Sequence, residues 1–145
     1  HQLLADVLEE HGLITTKAGE SYERGITRFF LPHGLGHLLG LQVHDKGGYL
    51  NSPRGPNEMP PIDHPFLRLT RTLEPGFVVT IEPGLYFIPS LLDRLKSCSL
   101  SNLVNWAQVE ALIPYGGIRI EDNILVTCSG SRNLSRPALE KSGVS

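Results

Sequence analysis

The feature that most constrains this chain is a glycine-rich segment, PHGLGHLLGLQVHD over residues 32–45, which holds three of the six histidines. Each glycine inside a helix costs up to about 1 kcal/mol relative to alanine, so the three glycines here argue against a helix. Histidine is the commonest metal ligand and the usual proton carrier near neutral pH, and glycine lets the backbone approach a ligand closely. The segment therefore predicts a tight functional loop that leads into a short strand, Leu41 to Val43, with His44 at its end.

The composition is that of a chain that can bury one modest core, with 145 residues, 40% hydrophobic and 19% charged. The net charge of −2 gives no electrostatic basis for binding nucleic acid or an anionic membrane. No apolar run approaches the roughly 20 residues of a membrane span and no signal peptide is recognisable, so we expect a cytoplasmic protein. Cys98 and Cys128 lack CxxC spacing, and we expect free thiols, with a single disulfide as the alternative.

Helical periodicity marks three segments of the chain. Apolar residues at positions 3, 4, 7 and 8 predict an N-terminal helix that ends at Gly12. A second apolar face predicts a helix over residues 21–30, which Pro32 terminates. Asn105, with Gln108 three residues later, resembles a capping box and predicts the start of a third helix.

Alternation of apolar and polar residues predicts two strands, and a β-branched run predicts a third. They cover residues 67–73, residues 77–82 and residues 118–126, the last with Arg119 and Glu121 on one face. Residues 46–66 contain five prolines and predict a long irregular loop. The chain from residue 129 onward is polar, and we expect it to fray.

Two of these strands carry a carboxylate at or near a strand end, Glu82 and Glu121. Such a carboxylate is costly to bury unless an arginine or a metal ion neutralises it. With His37 the two would form a ligand set of imidazole and carboxylates, which suits Mn, Fe, Co or Zn better than a structural zinc finger. Each residue alone is more often a surface or salt-bridged side chain, so the metal hypothesis depends on the combination.

Other motifs fit the segment less well. Its glycines give GxGxxxG, which misses the GxGxxG fingerprint of dinucleotide binding, and the zinc-peptidase motif HExxH is absent from the sequence. A non-haem iron triad of His37, His44 and Glu82 stays open, although it leaves Glu121 and Arg119 without a role.

Three motifs, in this order and at this spacing, carry a resemblance to a known family: PHGLGHLLGLQVHD, LTRTLEPGFVVTIEPGLYF and YGGIRIEDN. Over residues 20–127 the chain resembles the C-terminal part of bacterial prolidases, the Xaa-Pro dipeptidases of the pita-bread metallopeptidase family. The resemblance implies an α+β fold for residues 1–145: the C-terminal half of a pita-bread domain, with a curved, mainly antiparallel sheet and flanking helices. It also implies that an N-terminal domain and the first half of the catalytic domain are absent from this chain.

The resemblance implies a specific metal-ligand set. Members of the family hold two divalent ions, usually Mn, with two Asp, one His and two Glu, and the matching positions here are His37, Glu82 and Glu121. The two aspartates are missing, because Asp6 is the only aspartate before the histidine segment. We expect the polar atoms of the three residues to lie within about 3–5 Å of one another. The intact protein, expected as a homodimer, would hydrolyse Xaa-Pro dipeptides with a water activated by the two ions, while the fragment would be inactive.

The resemblance also implies roles for other residues at the catalytic site. Glu82 would take the proton of the attacking water, and His44 would donate to the substrate carbonyl oxygen as it becomes anionic. His33 would stand beside them and line the proline pocket. Arg68 would bind the free carboxylate of the dipeptide as a bidentate fork, and Arg119 would orient the site and help to bind substrate.

Two other functions stay open. A binding module of the same fold would have lost its metals, whereas this segment keeps the three ligands that the resemblance places in it. An aminopeptidase P would remove the residue before proline from longer peptides, and the GLQVHD and YGGIRIEDN motifs favour the dipeptidase over it.

Overall fold

The computed structural model describes residues 1–52 and 54–142. It divides into two compact units: unit 1 comprises His1–Pro32 and Gly84–Arg119, and unit 2 comprises His33–Pro83 and the chain from Ile120 onward. Along the described ranges no helix has both the length and the apolar character needed to cross a lipid bilayer.

The helices over these residues are α1 (Gln2–Glu10), α2 (Ala18–Glu23), α3 (Pro89–Lys96), α4 (Trp106–Leu112) and α5 (Arg136–Ser142). The strands are β1 (Leu38–Leu39), β2 (Val78–Ile81), β3 (Gly84–Tyr86), β4 (Gly117–Arg119), β5 (Asp122–Thr127) and β6 (Gly130–Asn133). Helices α1 to α4 and strands β3 and β4 belong to unit 1, and the other elements belong to unit 2.

Unit 1 packs its helices around an apolar core, beside the antiparallel pair of β3 and β4. The rings of Phe30 and Phe87 meet edge to face in this core, with centroids 6.1 Å apart. Burying such side chains removes apolar surface from water, which is the main stabilising term in folding. The buried members of the core are Leu8, Leu13, Ile14, Ile26, Phe30, Phe87, Leu92, Leu95, Val104 and Val109.

Two of the predicted helices are confirmed in unit 1. α1 ends at Glu10, and the N–H of Gly12 donates to the carbonyl oxygen of Glu9 at 3.0 Å. α4 begins after Asn105, whose side-chain oxygen accepts from the N–H of Gln108 at 3.4 Å. The capping residues in the sequence therefore mark both helix ends correctly.

The helix predicted over residues 21–30 is wrong in extent. α2 ends at Glu23, and Gly25 then adopts φ 75°, a left-handed conformation that glycine reaches without steric cost. The chain continues as a 3₁₀ turn over Ile26–Phe29. The apolar residues that suggested one continuous face therefore lie on two short elements joined by a turn.

Unit 2 contains a four-stranded antiparallel sheet with the strand order β1-β2-β5-β6. Its β2 strand confirms the prediction for residues 77–82, and Val79, at its centre, is buried. Val79 pairs with Leu38 of β1 on one side and with Ile124 of β5 on the other. Because β2 is antiparallel to both neighbours, its end lies beside the points where β1 and β5 begin.

The predicted strand from Leu41 to Val43 is wrong, because the chain bends sharply after β1. The N–H of Asp45 donates to the carbonyl oxygen of Leu38 at 3.1 Å, and the Asp45 carboxylate accepts from the N–H of Gly47 at 2.8 Å. These bonds close a loop that leaves Leu41 and Val43 exposed.

The strand predicted over residues 67–73 is also wrong. Only Arg68 pairs there, through an isolated parallel bridge with His37. The N–H groups of Thr70 and Arg71 both donate to the carbonyl oxygen of Gly48, at 3.0 and 3.3 Å. Two loop hydrogen bonds thus replace the sheet ladder that the alternation suggested. Pro53, within the loop expected over residues 46–66, lies outside the described residues.

The strand predicted over residues 118–126 is divided between the two units. Residues 117–119 form β4 and pair with β3, whereas residues 122–127 form β5 and pair with β2. Between them the N–H of Ile120 donates to the carbonyl oxygen of Pro83 at 3.2 Å. Arg119 and Glu121 therefore do not share one strand face.

The fraying expected from residue 129 is wrong as far as residue 142. β6 pairs with β5, and the side-chain oxygen of Asn133 accepts from the N–H of Arg136 at 2.9 Å, at the start of α5. Arg136 Nε donates to the carboxylate of Asp122 at 2.8 Å. Residues 143–145 lie outside the described ranges.

The free thiols expected at Cys98 and Cys128 are confirmed.

Candidate metal centre

Three segments of unit 2 bring polar side chains to one end of its sheet. His37 comes directly before β1, Glu82 directly after β2, and Glu121 directly before β5. One possible ligand atom from each residue lies within 4.8 Å of the other two. The expected approach of about 3–5 Å is therefore confirmed, and residues far apart in sequence meet because of the antiparallel register.

The burial of this cluster matches a site for a divalent cation. His37 and Glu82 are buried, and Glu121 is exposed. Nε2 of His37 lies 3.4 Å from Oε1 of Glu82. A buried carboxylate is costly unless a cation or hydrogen bonds compensate it, and a donor set of imidazole and carboxylates suits divalent transition metals. Over residues 1–52 and 54–142 no other group of three such side chains converges in this way.

The neighbouring backbone carbonyl identifies one donor nitrogen of the His37 ring. Nδ1 of the ring lies 3.2 Å from the carbonyl oxygen of Leu38, and a carbonyl only accepts hydrogen bonds. Nδ1 therefore carries a proton, and Nε2 faces Oε1 of Glu82. Metal-binding histidines typically donate their second ring N–H in this way.

A threonine links the first two members of the cluster. The hydroxyl of Thr80 accepts from the N–H of His37 at 2.9 Å and donates to Oε1 of Glu82 at 3.0 Å. Thr80 is 1% exposed. Thr80 was not among the predicted site residues, although it is the one polar residue within β2 and lies two residues before Glu82, on the same face of the strand.

Gly36 allows the loop before β1 to approach β2 closely. A Cβ atom at this position would overlap the carbonyl oxygen of Thr80. The N–H of Thr80 donates to the carbonyl oxygen of His37 at 2.9 Å, which joins the same two segments again. The glycine that argued against a helix therefore has a direct packing role beside the cluster.

His44 lies next to the cluster. Its ring meets that of His37 edge to face, with centroids 4.5 Å apart. The pKa of His44 lies below the ordinary imidazole value, first because the loop removes part of its hydration and then because Arg68 and His37 repel a positive charge. Glu82 acts in the opposite direction, as does the second carboxylate of the cluster.

The remaining predicted residues have different surroundings. Arg68 is exposed and pairs through its backbone with His37, and Nδ1 of the partly buried His33 donates to the carbonyl oxygen of Gly34 at 2.7 Å. Arg119 belongs to unit 1, where its backbone pairs with β3. The structure thus brings Arg68 beside His37, and the substrate-binding role of Arg119 stays a prediction.

Comparison with known proteins finds one matching metallopeptidase family and relatives that are named as Xaa-Pro dipeptidases. The model of metallopeptidase family M24 matches residues 1–128. An Xaa-Pro dipeptidase of Xanthomonas oryzae pv. oryzae is 53% identical over 137 residues, and one of Stenotrophomonas maltophilia is 50% identical over 138 residues. The alignments cover 94% and 95% of this chain but 31% of each relative. The chain thus spans about a third of the length of the curated relatives that it matches.

Solved structures with a similar fold include two aminopeptidases P. Zinc-substituted Escherichia coli aminopeptidase P in complex with product superposes with a TM-score of 0.57 at 30% identity, over 94% of this chain and 24% of that one. Proline aminopeptidase P II from Yersinia pestis gives 0.57 at 31% identity, with the same coverage of 94% and 24%. These similarities confirm the predicted α+β fold of the pita-bread type.

Proposed function

This chain belongs to metallopeptidase family M24, and we propose that it forms the C-terminal part of a metal-dependent Xaa-Pro dipeptidase. The observation that carries the proposal is the convergence of His37, Glu82 and Glu121 at one end of the sheet of unit 2. The dipeptidase relatives at 50–53% identity support the substrate class. Since the chain spans about a third of their length, the activity is that of the intact protein.

The three converging residues would hold divalent metal, with Nε2 of His37 and the two carboxylates as ligands. Bound there, the metal would supply a Lewis acid for the substrate carbonyl and would activate a water molecule. Two ions and manganese as the native metal are parts of this proposal, as are a homodimer and a cytoplasmic location. The remaining aspartate ligands would come from the part of the enzyme that precedes this chain.

The neighbouring side chains would move protons and bind the substrate. The Glu82 carboxylate, already hydrogen-bonded by Thr80, would accept a proton from the attacking water and pass it to the leaving proline nitrogen. The ring of His44 stands beside that of His37 and would donate its N–H to the carbonyl oxygen as negative charge develops there. Donors held in place before the reaction need no reorganisation at that moment.

Specificity for a dipeptide requires a cation for the free carboxylate of the substrate. Arg68 suits this role, because it is exposed and its backbone is tied to that of His37. A guanidinium group matches a carboxylate with two parallel hydrogen bonds. His33 would line the pocket for the proline ring, and Arg119 would orient the site and help to bind substrate.

Aminopeptidase P activity is the second candidate, because the solved structures with a similar fold carry that name. Those proteins are about 30% identical to the chain, while the dipeptidases are 50% identical or more. A metal-free binding module of the same fold is the third. The retained set of His37, Glu82 and Glu121 speaks against it.

The test uses the full-length protein. We expect cleavage of an Xaa-Pro dipeptide that stops with a chelator, returns with Mn²⁺ and exceeds cleavage of a tripeptide with proline at its second position. Glu121→Gln should abolish it. Glu110→Gln, which removes only an exposed partner of Lys96, is the matched control and should retain activity. Preference for the tripeptide would favour aminopeptidase P, and absence of both metal binding and cleavage would favour the binding module.

A further inference from the structure

Thr80 holds the backbone of His37 and the side chain of Glu82 in one hydrogen-bonded unit. We propose that Thr80 is a positioning residue of the metal centre, whose hydroxyl fixes the direction in which the Glu82 carboxylate faces His37. The inference rests on the proposed function, because it assigns Thr80 a role through two candidate ligands. It contributes no ligand atom itself.

The direction of both hydrogen bonds follows from the groups involved. The backbone N–H of His37 only donates, so Oγ1 of Thr80 accepts from it at 2.9 Å. The single hydroxyl proton of Thr80 is then available for Oε1 of Glu82, 3.0 Å away, and an ionised carboxylate only accepts. The hydroxyl therefore has one donor and one acceptor, and neither bond can reverse while the carboxylate is ionised.

The surroundings hold this hydroxyl in place. Thr80 is 1% exposed, so bulk water does not compete for its bonds. Its side chain is β-branched and restricted at χ1, and its backbone N–H donates to the carbonyl oxygen of His37 at 2.9 Å. Two hydrogen bonds thus join Thr80 to the same residue. The close approach that Gly36 permits keeps both short.

The hydrogen bond from Thr80 affects the orientation of the Glu82 carboxylate. Its Oε1 atom lies 3.4 Å from Nε2 of His37, and rotation about the last side-chain torsion, which has broad minima, would change that distance. The bond from Thr80 holds one carboxylate oxygen and restrains this rotation. Removing an outer hydrogen bond of this kind typically lowers metal affinity by about 10- to 100-fold.

The test compares two substitutions in the full-length protein. Thr80→Val keeps the shape and removes the hydroxyl, whereas Thr80→Ser keeps the hydroxyl. Calorimetric titration of the metal-free protein with Mn²⁺ should show an affinity about 10- to 100-fold lower for Thr80→Val. Thr80→Ser should stay within about threefold of the wild type. Thr127→Val, in β5 of the same sheet, is the matched control and should bind as the wild type does.

A spectrum separates positioning from stability. With Co²⁺ bound in place of Mn²⁺, the visible absorption reports ligand geometry, and it should change in Thr80→Val but not in Thr80→Ser. Should Thr80→Val fail to fold, Thr80→Cys replaces the hydroxyl by a weakly hydrogen-bonding thiol, and its affinity should fall in the same direction.

Three results would overturn the inference in distinguishable ways. Wild-type affinity and spectrum in Thr80→Val, with a lowered melting temperature, would show that the hydroxyl serves stability alone. An equal loss in Thr80→Ser would assign the effect to packing of the methyl group. A wild-type protein that bound no Mn²⁺ would refute the metal centre and, with it, this role of Thr80.

Discussion

The imidazole rings of His37 and His44 meet edge to face, with their centroids 4.5 Å apart and their planes at 81°. This contact keeps His44 beside His37, a candidate ligand. His44 itself is not a member of the converging group of His37, Glu82 and Glu121. His44 thus stands at the edge of the candidate centre, and in the proposed function it donates to the reacting carbonyl and does not bind metal.

His44→Ala in the intact enzyme should therefore lower kcat by about 10²- to 10³-fold, because a preorganised donor to the developing oxyanion is lost. Bound metal, measured by elemental analysis after dialysis, should equal that of the wild type. His11→Ala, an exposed histidine after α1, is the control and should keep its kcat. Loss of metal from His44→Ala would identify His44 as a ligand.

Arg68→Ala should raise KM for an Xaa-Pro dipeptide by roughly 10- to 150-fold, which corresponds to about 1.5–3 kcal/mol for a hydrogen bond to a charged group. A carboxyl-amidated analogue, which lacks the free carboxylate, should show a much smaller change. Steady-state kinetics on both substrates provides the comparison, with exposed Arg132→Ala as the matched arginine control. Equal losses on the two substrates would refute carboxylate binding by Arg68.

The sequence predicted the elements whose signals are local. Asn105 marks the start of α4 because its side-chain oxygen accepts from the N–H of Gln108, three residues along the chain. β2 follows from a short β-branched run that is buried between two neighbouring strands. The candidate ligands at the sheet end were likewise predicted, since each lies within a recognisable motif.

The sequence misled where pairing partners decide the structure. Alternation over residues 118–121 continues without a break signal into residues 122–126, yet the two parts pair with different strands. Leu41 and Val43 alternate as strand residues do, but no strand pairs with them among the described residues and Asp45 bends the chain. The role of Thr80 has no sequence signal for a related reason, because its hydrogen bond from the N–H of His37 depends on the register of β1 on β2.

Gly36→Ala should destabilise the protein by about 1–3 kcal/mol, because the added methyl group would overlap the carbonyl oxygen of Thr80. Denaturant titration of the full-length protein measures this change. Gly19→Ala is the matched control: it lies in α2 with nothing within 4 Å of its added Cβ, and it should stabilise by about 0.4–1 kcal/mol. An unchanged stability in Gly36→Ala would mean that the loop before β1 moves away from β2 at little cost.

The Glu9 carboxylate joins α1 to the start of α2, and acid should weaken this connection. The Glu9 carboxylate accepts from Lys17 Nζ at 2.8 Å and from the N–H of Ala18 at 2.6 Å. The bond from Lys17, followed by that from Ala18, holds the pKa of Glu9 below its ordinary value of 4.5. A lowered folded-state pKa means that the ionised form is favoured in the folded protein, so the stabilisation is present above pH 4.5 and is lost as the pH falls through the lower folded value.

The chemical shift of the Ala18 amide proton, followed by NMR as the pH is lowered from 6, should therefore titrate with a midpoint below 4.5. Glu9→Gln removes the titrating group and should make this shift independent of pH over the same range. Glu10→Gln, the adjacent substitution on α1, is the control and should leave the titration as it is in the wild type. A midpoint at or above 4.5 in the wild type would show that the contacts of Glu9 with Lys17 and Ala18 do not persist in solution, because a carboxylate that keeps both donors must release its proton more readily than a free one.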